Sequence, residues 1–276
     1  STLSSSSAAS DVYKRQVKMI PKKIHYCWVG GNSKPPLVKK CIQSWKKYCP
    51  DYEIIEWNES NYDISKNIYM KQAYEAKKWA FVTDYMRLDI IYEHGGIYLD
   101  TDVELIKNID DLLSNEAFAG IESINENENN VALGLGFGAE KGHPLIGNMR
   151  SCYDELQFLN SDNTYNMVAI PVYITNFLKQ LGYENQNKLQ KLQGITIYPS
   201  EYFCPKSWTT GVKRITRHTY SIHHYSASWY DEKKQKQYRE ELKQKKKDYY
   251  RHMPNRIIKG ILGDSKYNKI KKLFGK

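Results

Sequence analysis

The feature that most constrains this chain is a short apolar run that ends in two carboxylates. Residues 97–99 (Ile-Tyr-Leu) follow a Gly-Gly pair, predict a buried strand and run directly into Asp100-Thr101-Asp102. Ligands of open α/β sheets bind beyond the carboxyl ends of the strands. Two carboxylates one residue apart at such an edge can hold a hard divalent cation, which can in turn clamp a diphosphate. A solvated turn can carry the same triplet, so the choice between a metal site and a turn depends on the surrounding residues.

Those surroundings predict alternating strands and helices. Residues 24–29 predict a buried strand, residues 37–45 a helix, and residues 52–57 a second strand. Residues 67–94 carry a helical pattern with a core-facing stripe that leads to the Gly-Gly pair. Residues 131–139 hold three glycines among apolar residues, which indicates a strand with close backbone contacts. This order predicts an α/β fold with a Rossmann-like, mainly parallel sheet flanked by helices.

The positive charge of the chain is concentrated at its C-terminal end. The net charge is +10, but residues 232–276 hold 16 Lys and Arg against 5 Asp and Glu, so the remainder is close to neutral. This argues against a nucleic-acid partner and for an acidic partner of the tail, such as an anionic membrane surface. No apolar run is long enough to cross a membrane as a helix.

We expect three segments along the chain. Residues 1–17 are Ser-rich and lack the basic and apolar regions of a signal peptide, which favours a disordered leader, native or not. Residues 18–231 are expected to form one catalytic domain and residues 232–276 a basic helical tail. Five scattered cysteines without a Cys-x-x-Cys pattern indicate a reducing compartment. We therefore expect a cytoplasmic protein, either free or peripheral on the inner face of the cell membrane.

Two further pairs of residues carry chemistry. Asp84 and Arg87 lie three apart on the predicted helix. They form either a surface ion pair or a face that meets the strand edge, where Arg87 would neutralise a phosphate and Asp84 would bind a sugar hydroxyl. His223 and His224 lie near the end of the domain, and imidazole can complete a Mn²⁺ shell begun by carboxylates. Adjacent strand residues point to opposite faces, so at most one of these two is a ligand.

Three blocks in this order resemble glycosyltransferase family 32. They are residues 20–31 (IPKKIHYCWVGG), residues 83–102 with TDYMR and GGIYLDTD at their two ends, and residues 224–229 (HYSASW). The match is close over residues 20–110 and looser over residues 131–231. The resemblance implies a GT-A fold, a nucleotide-sugar donor with UDP-sugar favoured and GDP-sugar as the alternative, a Mn²⁺ or Mg²⁺ ion, and retention of anomeric configuration.

The resemblance also implies residues that bind the nucleotide-sugar. Trp28 would stack on the nucleotide base, with a role in the core as the equal alternative. Asn58, after the second predicted strand, is a weaker nucleotide-binding candidate. Asp84 and Arg87 would grip the sugar and the phosphate, and Asp100 would contact the ribose, the sugar or a metal-bound water.

The metal and diphosphate site is implied in the same way. Asp102 would bind the metal directly, His224 would be a second ligand, and Asp100 would complete the site. Ser228 or Trp229 would touch the diphosphate.

We therefore predict a metal-dependent retaining glycosyltransferase that acts on a glycan or a lipid-linked oligosaccharide, in bacterial surface or capsular polysaccharide synthesis. No carboxylate stands out as a nucleophile, which favours front-face attack by the acceptor hydroxyl. Three alternatives stay open: a metal-dependent nucleotidyl or phosphoryl enzyme, a secreted effector that glycosylates host protein, and a non-catalytic carbohydrate- or membrane-binding protein.

Overall fold

The computed structural model describes residues 19–125, 127–226, 232–254 and 268 of the chain. These residues form two compact units, the first within residues 19–205 and 214–225, and the second made of residues 206–213 and the part of the chain from residue 226 onwards. The predicted leader and the predicted boundary at residue 231 lie outside the described residues. The predicted division into three segments therefore stays a prediction.

The first unit is built on a mixed sheet. Its strands are β1 (Lys23–Cys27), β2 (Glu53–Trp57), β3 (Gly96–Tyr98), β4 (Val103–Leu105), β5 (Ala117–Asn125), β6 (Glu128–Ala132), β7 (Phe137–Ala139), β8 (Gln190–Leu192), β9 (Ile195–Tyr198) and β10 (Ser221–His223). Eight of them form one sheet in the order β2-β1-β3-β7-β5-β9-β8, with β6 paired to β5, and β4 pairs with β10 separately. Strands β2, β1, β3, β5 and β9 run in one direction. The predicted α/β class with a mainly parallel sheet is confirmed.

Five helices accompany the described strands of this unit. They are α1 (Pro36–Tyr48), α2 (Ile68–Glu75), α3 (Trp79–His94), α4 (Pro144–Ser151) and α5 (Ile170–Gln180). The helical pattern predicted over residues 67–94 thus forms two helices. They are separated where Lys77 adopts a positive φ of 56°, a conformation that an α-helix does not continue through.

The turn between α3 and β3 is fixed by a buried histidine. The Trp57 indole N–H donates to His25 Nδ1 over 3.0 Å, so the ring proton lies on Nε2, which is 2.9 Å from the Gly95 carbonyl oxygen. Gly96 has a φ of 106°, and a Cβ there would lie 2.9 Å from His25 Nε2. Burial lowers the pKa of His25 to about 4, so the imidazole is neutral at pH 7. This turn aligns β3 with β1 and thereby delivers Asp100 to the sheet edge.

A buried carboxylate anchors α3 at its other flank. Asp89 is 1% exposed and accepts hydrogen bonds from the Tyr62 hydroxyl at 2.7 Å, Lys66 Nζ at 2.6 Å and Arg150 Nη1 at 2.8 Å. Burying a carboxylate costs free energy unless cationic and hydrogen-bonding partners compensate it, as Lys66, Arg150 and Tyr62 do here. The network holds α3 between residues 62–66 and α4.

The second unit contains a strongly charged helix, α6 (Glu232–Arg251), with nine Lys and Arg against four Asp and Glu. The Trp208 ring stacks on Tyr238, with ring centroids 4.7 Å apart. The predicted tail is therefore helical over this part of its length. Among the helices that the structure describes, none combines the length and the apolar character that a membrane span requires.

Candidate active site

Two carboxylates and an imidazole meet beyond the end of β3. Asp100 and Asp102 follow that strand, and β4 pairs antiparallel with β10 so that His223 lies opposite Val103. Asp100, Asp102 and His223 each offer one ligand atom, and these atoms all lie within 4.8 Å of one another. His223 Nε2 is 3.1 Å from Asp102 Oδ1. The structure thus assembles a three-residue cluster at the sheet edge that the sequence indicated.

The histidine in this cluster is His223, whereas we predicted His224. His224 directly follows the last residue of β10, and the two rings contact different carboxylates. His224 Nε2 lies 2.7 Å from Glu104 Oε2, and the same oxygen accepts from Lys40 Nζ at 2.8 Å. The structure therefore brings His223, and not the predicted His224, together with Asp100 and Asp102, and the metal-binding role of His224 stays a prediction.

The chemistry of this cluster fits a divalent cation. Two carboxylate oxygens and one imidazole nitrogen are ligands that suit Mn²⁺. Burial and the neighbouring Asp102 charge raise the pKa of Asp100, against the lowering effect of Arg87. Burial lowers the pKa of His223, but the Asp102 carboxylate outweighs it and the net shift is upward. Within the described part of the chain, the buried His223 Nδ1 has no hydrogen-bond partner. A cation bound here would relieve the repulsion between the two carboxylates.

Arg87 lies directly behind the carboxylates and is 4% exposed. Its Nη2 is 3.2 Å from Asp84 Oδ1 and 3.4 Å from Asp100 Oδ1, and its Nε donates to the Thr83 carbonyl oxygen at 3.0 Å. The guanidinium carbon lies 5.0 Å from the centroid of the Tyr98 ring. The surface ion pair that the sequence left open is therefore excluded, since α3 turns Asp84 and Arg87 towards the edge of the sheet.

The protonation of this group follows from its burial. Burial raises the pKa of Asp84 to about 7, with Asp100 adding to the rise and Arg87 opposing it. Burial is the largest single influence and lowers the pKa of Arg87, but Asp100, Tyr98 and Asp84 together outweigh it and the net shift is upward. Arg87 is therefore a permanent cation at the site. Asp84 also accepts a hydrogen bond from the backbone N–H of Ile170.

Two residues to which sequence reasoning gave no role line Asp100. The Asp100 N–H donates to the Gly134 carbonyl oxygen at 3.2 Å. A Cβ at Gly134 would overlap Asp100 Oδ2 and lie 3.0 Å from Arg87 Nη1. The Tyr98 hydroxyl bonds to the Asp100 carboxylate. The glycine-rich pattern indicated a close backbone approach here, but the sequence did not reveal that Asp100 was the partner.

The structure describes two of the four remaining predicted residues, Trp28 and Asn58. Trp28 is half-buried just after β1, and its indole N–H donates to a main-chain carbonyl four residues on at 2.6 Å. Asn58 follows β2 and accepts from the Ser60 N–H and hydroxyl at 2.9 and 2.6 Å. β1 and β2 are parallel neighbours, so both residues lie at the same sheet edge as Asp100. Their nucleotide-binding roles stay predictions, and Ser228 and Trp229 lie outside the described residues.

Parts of this chain are similar to known proteins. Inositol phosphoceramide mannosyltransferase 3 of Schizosaccharomyces pombe is 31% identical over 147 residues, which is 49% of this chain and 38% of that protein. Subversion of eukaryotic traffic protein A of Legionella pneumophila is 30% identical over 115 residues, which is 32% of this chain and 18% of that protein. The chain thus spans well under half the length of these relatives. A solved structure, the PaToxG glycosyltransferase, is 17% identical with a TM-score of 0.48, covering 63% of this chain and 77% of that one.

A family model matches part of this chain. Residues 35–119 match the glycosyltransferase sugar-binding region containing DXD motif. The range holds a single Asp-x-Asp triplet, Asp100-Thr101-Asp102. This match confirms the resemblance drawn from the sequence: residues 35–119 of this chain are similar to the DXD-containing sugar-binding region of glycosyltransferases.

Proposed function

We propose that this chain is a metal-dependent, retaining glycosyltransferase. It would move a sugar from a nucleotide-diphosphate sugar, with UDP-sugar favoured and GDP-sugar as the alternative, to a hydroxyl of a glycan or a lipid-linked oligosaccharide. The observation that carries the proposal is the meeting of Asp100, Asp102 and His223 with Arg87 inside a DXD-family segment. Mannose is a candidate sugar because a relative is named a mannosyltransferase. Surface or capsular polysaccharide synthesis is the role we propose.

The roles of the residues follow from the charge that the reaction develops. Breaking the bond between sugar and phosphate builds negative charge on the leaving diphosphate. A Mn²⁺ or Mg²⁺ ion held by Asp100, Asp102 and His223 would supply Lewis-acid neutralisation of that charge when bound. Arg87 would stabilise the same leaving group from a water-excluded position, where a fixed cation acts most strongly. Asp84 would accept a hydrogen bond from a sugar hydroxyl and so orient the ring.

Retention of configuration is attributed to front-face attack. Asp84 and Asp100 both lie within 3.4 Å of the Arg87 guanidinium, which reduces the nucleophilicity of either carboxylate. The acceptor hydroxyl would attack from the side of the departing phosphate, and that phosphate would take the proton. A trapped covalent adduct between the sugar and a carboxylate would overturn this assignment.

Thermal unfolding with nucleotides tests the proposed function. We expect Mn²⁺ together with one of UDP, GDP, CDP or ADP to raise Tm by several degrees. A ligand at 100 times its Kd adds about 2.7 kcal/mol to the free energy of unfolding. EDTA should abolish the shift. No shift with any nucleotide would contradict the proposal and favour a non-catalytic binding protein, whereas turnover of nucleoside triphosphates would favour a nucleotidyl enzyme.

We further propose that α6 binds an anionic membrane surface from the cytoplasmic side. Each Lys or Arg near such a surface contributes about 1 kcal/mol, and α6 has an excess of basic residues. We expect the full chain to sediment with vesicles that contain phosphatidylglycerol, and a chain ending at residue 231 to sediment less. Equal sedimentation of the two proteins would remove the idea.

A second candidate function is that of a secreted effector that glycosylates host protein. It is favoured by the similarity to the Legionella protein, whose name refers to eukaryotic traffic. Incubation with a eukaryotic cell lysate and labelled nucleotide-sugar would distinguish the two. Label confined to lipid or glycan fractions would exclude the effector reading.

A further inference from the structure

A nearly uncharged stretch of chain lies on the surface between α4 and α5. Residues 156–178 contain a single charged residue, Asp162. Five large apolar side chains in this stretch are 40% to 51% exposed: Leu159, Tyr165, Met167, Val168 and Val172. We name these five residues the apolar surface. Exposed aliphatic side chains that cluster in this way on a soluble domain mark contact with another molecule.

The apolar surface is held in shape by its own hydrogen bonds. Leu159 and Tyr165 pair as an antiparallel bridge. The Asn166 N–H donates to the Phe158 carbonyl oxygen at 2.7 Å, and its side-chain amide donates to the Tyr173 hydroxyl at 2.9 Å. These bonds join the bridge to the first turn of α5. The inner face of α5 is already buried in the core, through Ile170, Ile174, Thr175 and Leu178.

This surface begins at the candidate active site. Met167 and Val168 are separated by one residue from α5, whose first N–H, that of Ile170, donates to Asp84. Asp84 in turn lies 3.2 Å from Arg87. An acceptor hydroxyl that reaches the donor sugar at these side chains therefore has the apolar surface next to it.

The order of the sheet separates the apolar surface from the nucleotide side. The nucleotide candidates Trp28 and Asn58 follow β1 and β2, on one side of β3. Helix α5 lies against β6, where Thr175 Oγ1 accepts from the Val131 N–H at 2.9 Å. β6 pairs with β5, which is on the other side of β3. The apolar surface thus lies on the opposite side of β3 from the nucleotide candidates, which leaves that side for the acceptor.

We propose that the apolar surface seats the hydrocarbon chain of a lipid-linked acceptor. The inference rests on the proposed function and specifies its acceptor class. Four of its five side chains are those of leucine, valine and methionine, which offer nothing to the hydroxyls of a glycan but bury well against methylene groups, and Tyr165 alone adds a hydroxyl. With one carboxylate and no cation in the stretch, anionic headgroups gain no attraction there, unlike at α6. The ligand chemistry that suits the apolar surface is therefore an uncharged hydrocarbon chain.

Vesicle binding of the full chain tests this surface. The probe is a neutral phosphatidylcholine vesicle, in buffer with enough salt to suppress binding through α6. The test variant combines Met167→Ser, Val168→Ser and Val172→Ser. The matched control combines Leu189→Ser and Ile215→Ser, which are 52% and 56% exposed elsewhere on the same unit. We expect the test variant to partition about tenfold or more weakly than the wild type, and the control to partition as the wild type does.

Donor hydrolysis without acceptor, measured on the same proteins, separates this inference from the proposed function. We expect all three proteins to hydrolyse the nucleotide-sugar at similar rates, because the apolar surface does not bind the donor. Equal vesicle binding by wild type and test variant would overturn the inference. It would also be overturned if the wild type were a dimer and the three substitutions only made it a monomer, because the apolar surface would then bind a second copy of the chain. Absence of nucleotide-dependent stabilisation and of hydrolysis in the wild type would overturn the proposed function instead.

Discussion

His223→Ala is expected to lower both Mn²⁺ affinity and sugar transfer by about 10²-fold, because it removes the imidazole from the ligand cluster. His224→Ala should change both quantities little, since the His224 imidazole contacts Glu104, whose carboxylate also binds Lys40. Mn²⁺ binding followed by electron paramagnetic resonance and initial rates of transfer give the two measurements.

Asp102→Asn serves as the reference variant in that series. It removes the carboxylate 3.1 Å from His223 and should lose at least as much activity as His223→Ala. Circular dichroism confirms that each variant is folded. The opposite order, with His224→Ala inactive and His223→Ala active, would contradict the role of His223 and favour His224 as the ligand.

Gly134→Ala is expected to reduce transfer by about 10²-fold without a change in any charged residue. The new methyl group would overlap Asp100 Oδ2 and crowd Arg87 Nη1, so the carboxylate has to move. A displacement of about 1 Å at reacting groups is enough for a loss of this size. The rate is measured at saturating Mn²⁺, so that weaker metal binding alone does not account for the loss.

Gly120→Ala is the matched control for this substitution. A Cβ there would lie 2.7 Å from the Phe203 ring, which is also a steric overlap but with an aromatic side chain and not with a carboxylate. We expect both variants to lower Tm by similar amounts and only Gly134→Ala to lose activity selectively. Similar activity in the two variants would mean that Asp100 adjusts freely and that the position of Gly134 is not critical.

Local sequence patterns were enough to predict the frame of the site. The apolar run before Asp100 and the Gly-Gly pair before that run predicted β3 and its turn, because both depend on short-range preferences. The stripe on residues 67–94 predicted that a helix packs under the sheet, and the burial of Arg87 follows from that packing. Each of these inferences uses residues close together in the chain.

The parts of the site that sequence reasoning missed depend on distant pairings. His223 and His224 are adjacent, and only the pairing of β10 with β4, more than 100 residues earlier, and the turn at Asp102 bring the His223 ring within 3.1 Å of the Asp102 carboxylate. The contact of Gly134 with Asp100 also joins separate segments, through a backbone hydrogen bond. A single sequence shows that side chains alternate along a strand, but it does not show how that strand pairs with its neighbour.

The neutral imidazole at the Gly-Gly turn has a consequence for enzymology. Burial is the main cause that lowers the pKa of His25 from 6.5 to about 4, and the nearby His94 and Lys23 charges add to it, against Glu53. A lowered pKa means that the contribution of this group to stability is fully present above pH 6.5. It is lost as the pH falls through about 4.

We therefore expect the fall in rate at acid pH to include a loss of folded structure as well as the titration of catalytic groups. Protonation of His25 breaks its acceptor role towards Trp57 and loosens the turn that presents the two carboxylates. Rates measured below about pH 5 thus mix titration of reacting groups with melting of the scaffold that holds them.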